Sequence, residues 1–562
     1  MTAPAASTSS QPLVHRSQVL IVGGGPVGLS AAVELGQRGI SCLIVEPRTE
    51  ISFIRPRAKT TNVRSMEHFR RWGLAGRIRE AAPLKVAWSQ DVVFCTTLLG
   101  EEVTRFTRSF GLWTERQDVS PESGQQIAQP VIEEVLRKAV AELDTVELLL
   151  GWTLQSLQQA AEGVQAVIVG EDGQERLVLA SYAIGCDGAR SLVREAMGAR
   201  YEGTSDTRSN LGFVFRAPGL AERHHLGPAV QYWILNPASP GLMGRMDMDD
   251  RWWAIVNGAS ADADPHALIN ALAGAEVESE ILGTDPWTAR MLLTDHYRNG
   301  RLFLAGDAAH LNPPWGGHGF NTGIGDAANL GWKLAAALQG WGGEALLDSY
   351  EAERRPVGER IIQEATRNMS VLAPELGNPQ LMNPGKHGNH ARQAAAQTIQ
   401  TAKDGEFHSL GLVLGYQYNA SPVIVEDGTP PTPESQAYHP SARPGARLPH
   451  LWLSDGTSLY DHLGNGLTLL RLKDTANATP FLEAAAEHGV PLEVMELHGE
   501  DMQSLFGAPL LLVRPDQHVA WRGAALNRSA ARVLLDQVRG VVHSLAVSAP
   551  PTTIRRSGGS NE

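Results

Sequence analysis

The first clear pattern along the chain is a short apolar run, Val19–Val22, with no polar residue interrupting it. A run of this kind is what a strand buried on both faces of a parallel sheet requires. It gives way to glycines, then to a helical segment, Leu29–Gln37, that closes near Gly39. A second apolar strand follows, Cys42–Val45, and ends in Glu46. Two later strands also end in acid: residues 182–188, YAIGCDG, and Leu302–Ala305 ahead of Gly306 and Asp307. Between residues 200 and 295 the character changes. GFVFRAP, AVQYWILNP, LMGRMDM and RWWAIVNG are rich in aromatic and β-prone residues with turn signals between them, which predicts a sheet. Residues 349–372 read as helix, with Pro356 marking a break or kink. Residues 373–445 carry many Pro, Gly and Asn and read as a connector around short helices. From residue 444 strands and helices alternate again, closing with a helix near 528–540.

Composition narrows the class. The chain has 562 residues, enough for about three or four domains. Hydrophobic residues make up 43% and charged residues 19%, as in a folded protein with real cores. The formal charge of −13 points away from nucleic acid and anionic membranes. No apolar run reaches the roughly 18 residues of a membrane span. The opening MTAPAASTSSQPLVHRS has neither a charged start nor an apolar core, so it predicts a disordered lead over 1–16 and not a signal peptide. Cys42, Cys95 and Cys186 are odd in number, far apart and without CxxC. That favours a reducing cytoplasm over disulfides or a metal centre, and no metal is expected.

The glycines after the first strand are Gly23, Gly25 and Gly28, in the spacing GxGxxG. Gly23 permits the tight turn, Gly25 lets the backbone approach a pyrophosphate, and Gly28 lets helix and strand pack closely. The helix N-terminus offers N–H groups to phosphates. Glu46, 18 residues past Gly28, is placed to accept hydrogen bonds from ribose hydroxyls and to repel a 2′-phosphate. Strand, turn, helix, second strand and terminal acid together predict a site for the ADP half of FAD or NAD. The aspartates Asp187 and Asp307 stand just past strand ends, the edge where open α/β sheets bind ligands, though Asp-Gly is also a common turn.

With these three motifs in this order, the chain resembles the single-component flavoprotein monooxygenases that hydroxylate aromatic rings, in particular the phenol hydroxylase and 2,4-dichlorophenol 6-monooxygenase branch. The resemblance runs from about residue 17 to 545. It implies an α/β fold: a Rossmann-like FAD-binding domain in pieces 17–85, 120–200 and 295–365, and a β-rich substrate domain inserted as 86–119 and 201–294. A helical connector over 366–442, a thioredoxin-like C-terminal domain without CxxC over 443–545 and a disordered tail over 546–562 complete it. It implies non-covalent FAD held by Gly23, Gly25, Pro26, Gly28, Glu46, Pro47, Arg48, Arg57, Gln129, Asp187, Gly306 and Asp307. Pro314, Gly317, Gly319, Phe320 and Asn321 then form the bed of the flavin ring, with a helix beginning near Gly323. Glycines let backbone amides come close to that ring, and N–H groups at a helix start stabilise negative charge on it.

The implied reaction uses NAD(P)H as a transient co-substrate and O₂, and hydroxylates a small phenolic or other electron-rich aromatic through a flavin C4a-hydroperoxide. No second GxGxxG unit provides a fixed nicotinamide site. Candidates for the substrate pocket are Tyr232, Trp233, Met243, Arg245, Pro313 and Trp315, with Trp252 and Trp253 beside them. Aromatic residues there serve core packing equally well. A base that ionises a phenol would help, and Lys59 and His318 are candidates by position. His318 stands where many relatives have Gln, Tyr or Leu, so it is either a proton relay or a loop residue. His310 reads as structural. A homodimer or monomer is expected. An FAD oxidase or dehydrogenase, and a non-redox cyclase that keeps FAD as a prop, are the alternatives.

Overall fold

The computed structural model describes residues 13–54, 59–372, 376–497 and 502–541. Its first sheet is built on the apolar runs. Leu13–Val22 lies at the centre, with Cys42–Glu46 and then Val146–Leu150 on one side. Glu175–Gly185, Leu302–Leu304 and Arg298–Asn299 lie on the other. The central pairs are parallel, with Val22 beside both Gly185 and Val45, and Gly185 beside Leu304. The parallel strands therefore end at one edge, which carries Gly23, Glu46, Cys186, Asp187 and Gly306. Val19, Leu20, Ile21, Leu43 and Ile44 are fully buried. Helices cover the faces, among them Pro26–Gly36, Gln129–Ala141 and His318–Leu338.

Three expectations need correction here. The first strand starts at Leu13, inside the segment read as a disordered lead. Leu13–Ser17 pair with Arg176–Ala180, so ladder hydrogen bonds and not an apolar run hold them, and Val14 is half exposed. Residues 1–12 and the tail 546–562 lie outside the described residues. The helix expected near Gly323 starts five residues earlier, at His318, after Gly317 in a left-handed conformation. Its internal glycines serve packing: a Cβ on Gly331 would stand 2.4 Å from Glu34 Cγ, and one on Gly323 2.6 Å from Val27. The helix Glu344–Met369 runs through Pro356 unbroken. Buried Tyr350, Glu353, Arg354 and Ile361 anchor both sides of the lost Pro356 N–H.

The second sheet has eight strands, ordered His310–Leu311, Glu280–Thr294, Tyr201–Arg216, Arg251–Asn257, Gly241–Arg245, Gln231–Ile234, Val92–Cys95 and Glu102–Phe106. One face packs on the helix Pro265–Ala273 through Phe213, Phe215, Tyr232, Met243 and Trp252. The other face looks toward the loop that carries Trp315 and toward the helix Gly385–Phe407. The C-terminal unit orders its strands Leu492–Glu496, Leu467–Arg471, Leu510–Val513, Val519–Gly523. The first pair is parallel and the other two are antiparallel, with helices Thr479–Glu487 and Arg528–Val538 interleaved, which is a thioredoxin-like arrangement. Among the described residues no helix is long and apolar enough to cross a membrane.

Candidate active site

A single cavity of about 1020 Å³ runs from the strand-end edge of the first sheet to the open face of the second. At one end it is lined by Gly23, Gly25, Pro26, Glu46, Pro47, Arg48 and Gln129. Gly23 has φ +105°, and a Cβ there would stand 2.3 Å from the Cys186 carbonyl oxygen. A Cβ on Gly28 would stand 2.0 Å from the Gly23 oxygen, so Gly28 shapes the turn from behind and does not itself line the cavity. Gly25 differs: nothing lies within 4 Å of a Cβ built there, and the space it faces is the cavity.

Glu46 is buried. Its Oε2 accepts from the Gly24 N–H at 2.7 Å, and its Oε1 accepts from Arg48 N–H and Nε at 2.9 and 2.7 Å. Arg48 thus fixes the acid at the cavity mouth. Gln129 donates to Glu133 at 2.9 Å, so the same wall is braced from the helix it begins. Asp187 Oδ2 accepts from the N–H groups of Leu192 and Val193, at 2.8 and 3.3 Å. Its Oδ1 is buried with no hydrogen-bond partner among the described residues, and burial pushes its carboxyl up. An orphaned acceptor on the wall of a cavity asks for a donor from a bound molecule. Gly306, at φ +62°, begins the single turn Gly306–Ala308 that carries Asp307 to the cavity. Its N–H bonds buried Asp326, which also holds His310 Nε2 at 2.8 Å and Arg354 Nε at 2.8 Å, so His310 is part of the scaffold.

The middle of the cavity is formed by Pro314, Trp315, Gly316, Gly317, His318, Gly319 and Phe320. The first N–H groups of the helix His318–Leu338 have no partner within it, and they open beside this wall. Asn321 does not line the cavity. Its Oδ1 accepts from the Asn62 N–H at 2.9 Å and its Nδ2 donates to the Gly317 oxygen at 2.7 Å, clamping the loop from below. His318 is buried, and burial pulls its imidazole down to about 4. A Cβ on Gly316 would stand 2.5 Å from its Nε2, so the ring lies folded against its own loop. Lys59 lines the cavity with its Nζ 4.1 Å over the Trp253 ring, and burial pulls its pKa down to about 8. Arg57 lies outside the described residues.

At the far end the roof differs from the expected set. Of the six residues assigned to the substrate pocket, Trp315 lines the cavity and the other five do not. The physical reason is strand parity: neighbours along a strand face opposite sides. Tyr232 pairs with Met243, and both point into the core behind the sheet, where the Tyr232 hydroxyl donates to the Gly227 oxygen at 2.6 Å. Arg245 turns away to the carbonyls of Asp247 and Asp249. Trp233 is on the cavity side but lies sealed against Phe94, with ring centroids 5.0 Å apart. Pro313 is buried beside the loop. The residues of the other parity, Gln231, Leu242, Trp253 and Ile255, form the roof. Trp287 braces Trp315 at 5.7 Å. One lining residue had no sequence signal at all: Glu406, delivered from the helix Gly385–Phe407.

Residues 16–365 match the family model for the FAD binding domain, and residues 441–541 match that for the C-terminal domain of aromatic-ring hydroxylases. The chain belongs to the FAD-dependent aromatic-ring hydroxylases. This hydroxylase is 30% identical to the 2,4-dichlorophenol 6-monooxygenase of Cupriavidus pinatubonensis, over 94% of its own length and 97% of the relative's. Among solved structures it is similar to RebC, a rebeccamycin biosynthetic enzyme seen with reduced flavin. That match has a TM-score of 0.87 at 34% identity, covering 94% of this chain and 100% of RebC. It is also similar to the flavin-dependent monooxygenase PieE in complex with FAD and substrate. There the TM-score is 0.84 at 31% identity, covering 94% of this chain and 99% of PieE. The hydroxylase is an FAD-dependent monooxygenase, and the open Gly25 face and the orphaned Asp187 oxygen suit the cofactor that its family binds.

Proposed function

We propose that this hydroxylase uses NADH or NADPH and O₂ to place a hydroxyl on a phenolic or other electron-rich aromatic ring. The observation that carries the reading is the continuity of the cavity, which joins the strand-end edge to an apolar aromatic roof without an intervening wall. Gly25, Glu46, Gln129, Asp187 and Asp307 would hold FAD along that edge. Bound FAD supplies the redox chemistry, taking electrons from a transient reduced nicotinamide and passing them to O₂. The amides opening the helix His318–Leu338 stabilise negative charge beside the loop. Leu242, Trp253, Ile255 and Trp315 orient a flat ring and exclude water, which suppresses loss of activated oxygen as H₂O₂. Lys59, with its pKa near 8, is poised to hold or take up a proton at the Nζ facing the roof. We place the enzyme in the reducing cytoplasm, which suits its free thiols Cys42, Cys95 and Cys186.

The test is a screen for substrate-stimulated NAD(P)H oxidation over phenols, hydroxybenzoates and larger fused aromatics, followed by turnover under ¹⁸O₂. Product carrying one ¹⁸O atom is expected. Unlabelled product, or turnover that needs neither reduced nicotinamide nor O₂, overturns the proposal.

A further inference from the structure

The helix Gly385–Phe407 closes the roof from outside the two sheets. Phe407 plugs into the aromatic cluster of Phe94, Phe106, Phe110 and Trp233, with its ring 4.8 Å from Phe106 and 5.5 Å from Phe110. That anchor fixes the residue before it. Glu406 is 3% exposed and lines the cavity among Leu242, Trp253, Ile255 and Trp315. Its carboxylate is paired with Lys403, one turn back; burial pushes the carboxyl up, and Lys403 and the nearby Gly316 N–H act against that by favouring the charged form. Lys403 does not line the cavity. Its Nζ is taken up behind the wall, donating to the Asn368 oxygen at 3.1 Å and lying 4.4 Å over the Trp233 ring. The negative end of this buried pair is therefore the end turned toward the aromatic space.

A carboxylate in an apolar roof carries a desolvation penalty, and the buried Lys403 ammonium offsets it from behind the wall, which leaves the outward side of the carboxylate to face the aromatic space. The other polar groups of the cavity around the roof and the adjoining loop include Gln231, Lys59, Thr60, Asn312 and His318, and among these and Glu406 only Glu406 can accept as an anion. We propose that Glu406 accepts the hydrogen bond of an un-ionised hydroxyl on the aromatic substrate, so that the cavity selects neutral phenols over aromatic anions. This rests on the aromatic-hydroxylase reading of the same cavity. A neutral O–H gains a charge-assisted bond, a methyl ether gains nothing, and a carboxylate meets like charge at Glu406, which offsets the attraction of Lys59 across the same roof.

The experiment uses the full-length, FAD-loaded protein at pH 7 and reads ligand binding from the perturbation of flavin absorbance. The probes share one ring system: 1-naphthol, 1-methoxynaphthalene and 1-naphthoate. Wild type is expected to bind 1-naphthol about tenfold or more tighter than the ether, and tighter than 1-naphthoate. Glu406→Gln, made together with Lys403→Met so that no buried ammonium is left unpaired, keeps the volume of the wall. It should weaken 1-naphthol about tenfold, leave the ether unchanged and strengthen 1-naphthoate. A role confined to holding the loop would weaken all three together. Equal losses for 1-naphthol and its ether, no gain for 1-naphthoate, or a wild type indifferent to the hydroxyl each overturn the proposal. If the Gln variant loads FAD poorly, Glu406→Asp keeps the charge but draws it back by one methylene. Weaker 1-naphthol without a gain for 1-naphthoate is then expected, and unchanged 1-naphthol overturns the proposal. Binding is read without NAD(P)H, so a failure to hydroxylate any aromatic would sink the monooxygenase reading and leave this result standing on its own.

Discussion

The two later glycines of GxGxxG make opposite demands, and substituting each with alanine separates folding from cofactor binding. Gly28→Ala puts a methyl 2.0 Å from the Gly23 oxygen and 3.2 Å from Cys186 Cβ. The obstacle is backbone, so the helix Pro26–Gly36 must shift off the sheet. Overpacking of this kind costs about 3 kcal/mol, at the upper end of the usual range. In a domain this large that lowers the apoprotein melting temperature by roughly 5–10 °C. Gly25→Ala meets no atom within 4 Å, and its backbone, at φ −74° and ψ −179°, is one that alanine adopts freely. Lower entropy of the unfolded chain favours alanine by about 0.4–1 kcal/mol, and the poorer N-cap takes back a similar amount. The apoprotein should melt within about 2 °C of wild type. The new methyl instead stands in the cavity, where the close approach of a pyrophosphate needs bare backbone. A loss of about 2 kcal/mol, roughly 30-fold in Kd, is expected for FAD. The assay is a thermal melt of deflavinated protein beside a titration of FAD by fluorescence quenching. Should Gly25→Ala destabilise the apoprotein as much as Gly28→Ala, or bind FAD like wild type, the division of labour between the two glycines is wrong.

Three further outcomes follow from the site. Leu242→Trp should narrow the range of accepted aromatics. Tyr232→Phe, on the opposite parity, should leave that range unchanged and lose only about 1–2 kcal/mol in denaturant melts for the missing bond to Gly227. Lys59, depressed to about 8, binds fewer protons folded than unfolded between pH 8 and the ordinary lysine value, so its buried charge costs stability below pH 8 and the cost fades as pH rises toward 10.5. Lys59→Met should therefore raise stability over wild type more at pH 7 than at pH 10.5, and a gain that is flat with pH would refute this. His318, held near 4, stays neutral through the working range, so the pH profile of kcat/KM between 5.5 and 8 should keep its shape in His318→Gln even where its height changes.

What the sequence revealed and what it concealed divide along the range of the interactions involved. The nucleotide edge was legible because each of its parts is local: a glycine whose Cβ would strike a neighbouring strand, an acid at a strand end, a helix start within a few residues. Gly23, Gly25, Glu46, Asp187 and Asp307 stand at the edge for those reasons. The second sheet was legible as a sheet, but its facing residues were not. Composition cannot fix parity, and a strand such as Gln231–Ile234 is apolar on both sides because one face packs on a helix and the other covers the cavity. The start of the helix at His318 was hidden by glycines that serve helix-to-helix contact in place of a loop. Glu406 was hidden most deeply. Its helix follows a Pro- and Gly-rich stretch, carries no motif, and reaches the roof only because Phe407 docks into aromatic residues some 170 to 310 positions upstream. The cofactor end of the cavity is thus written in short-range motifs. The substrate end is assembled from four separate stretches of chain whose meeting is decided by packing. Family resemblance therefore transfers the flavin chemistry far more securely than the substrate, and Leu242, Trp253, Lys59 and Glu406 are the cavity-lining side chains at which substitution tests the proposed substrate.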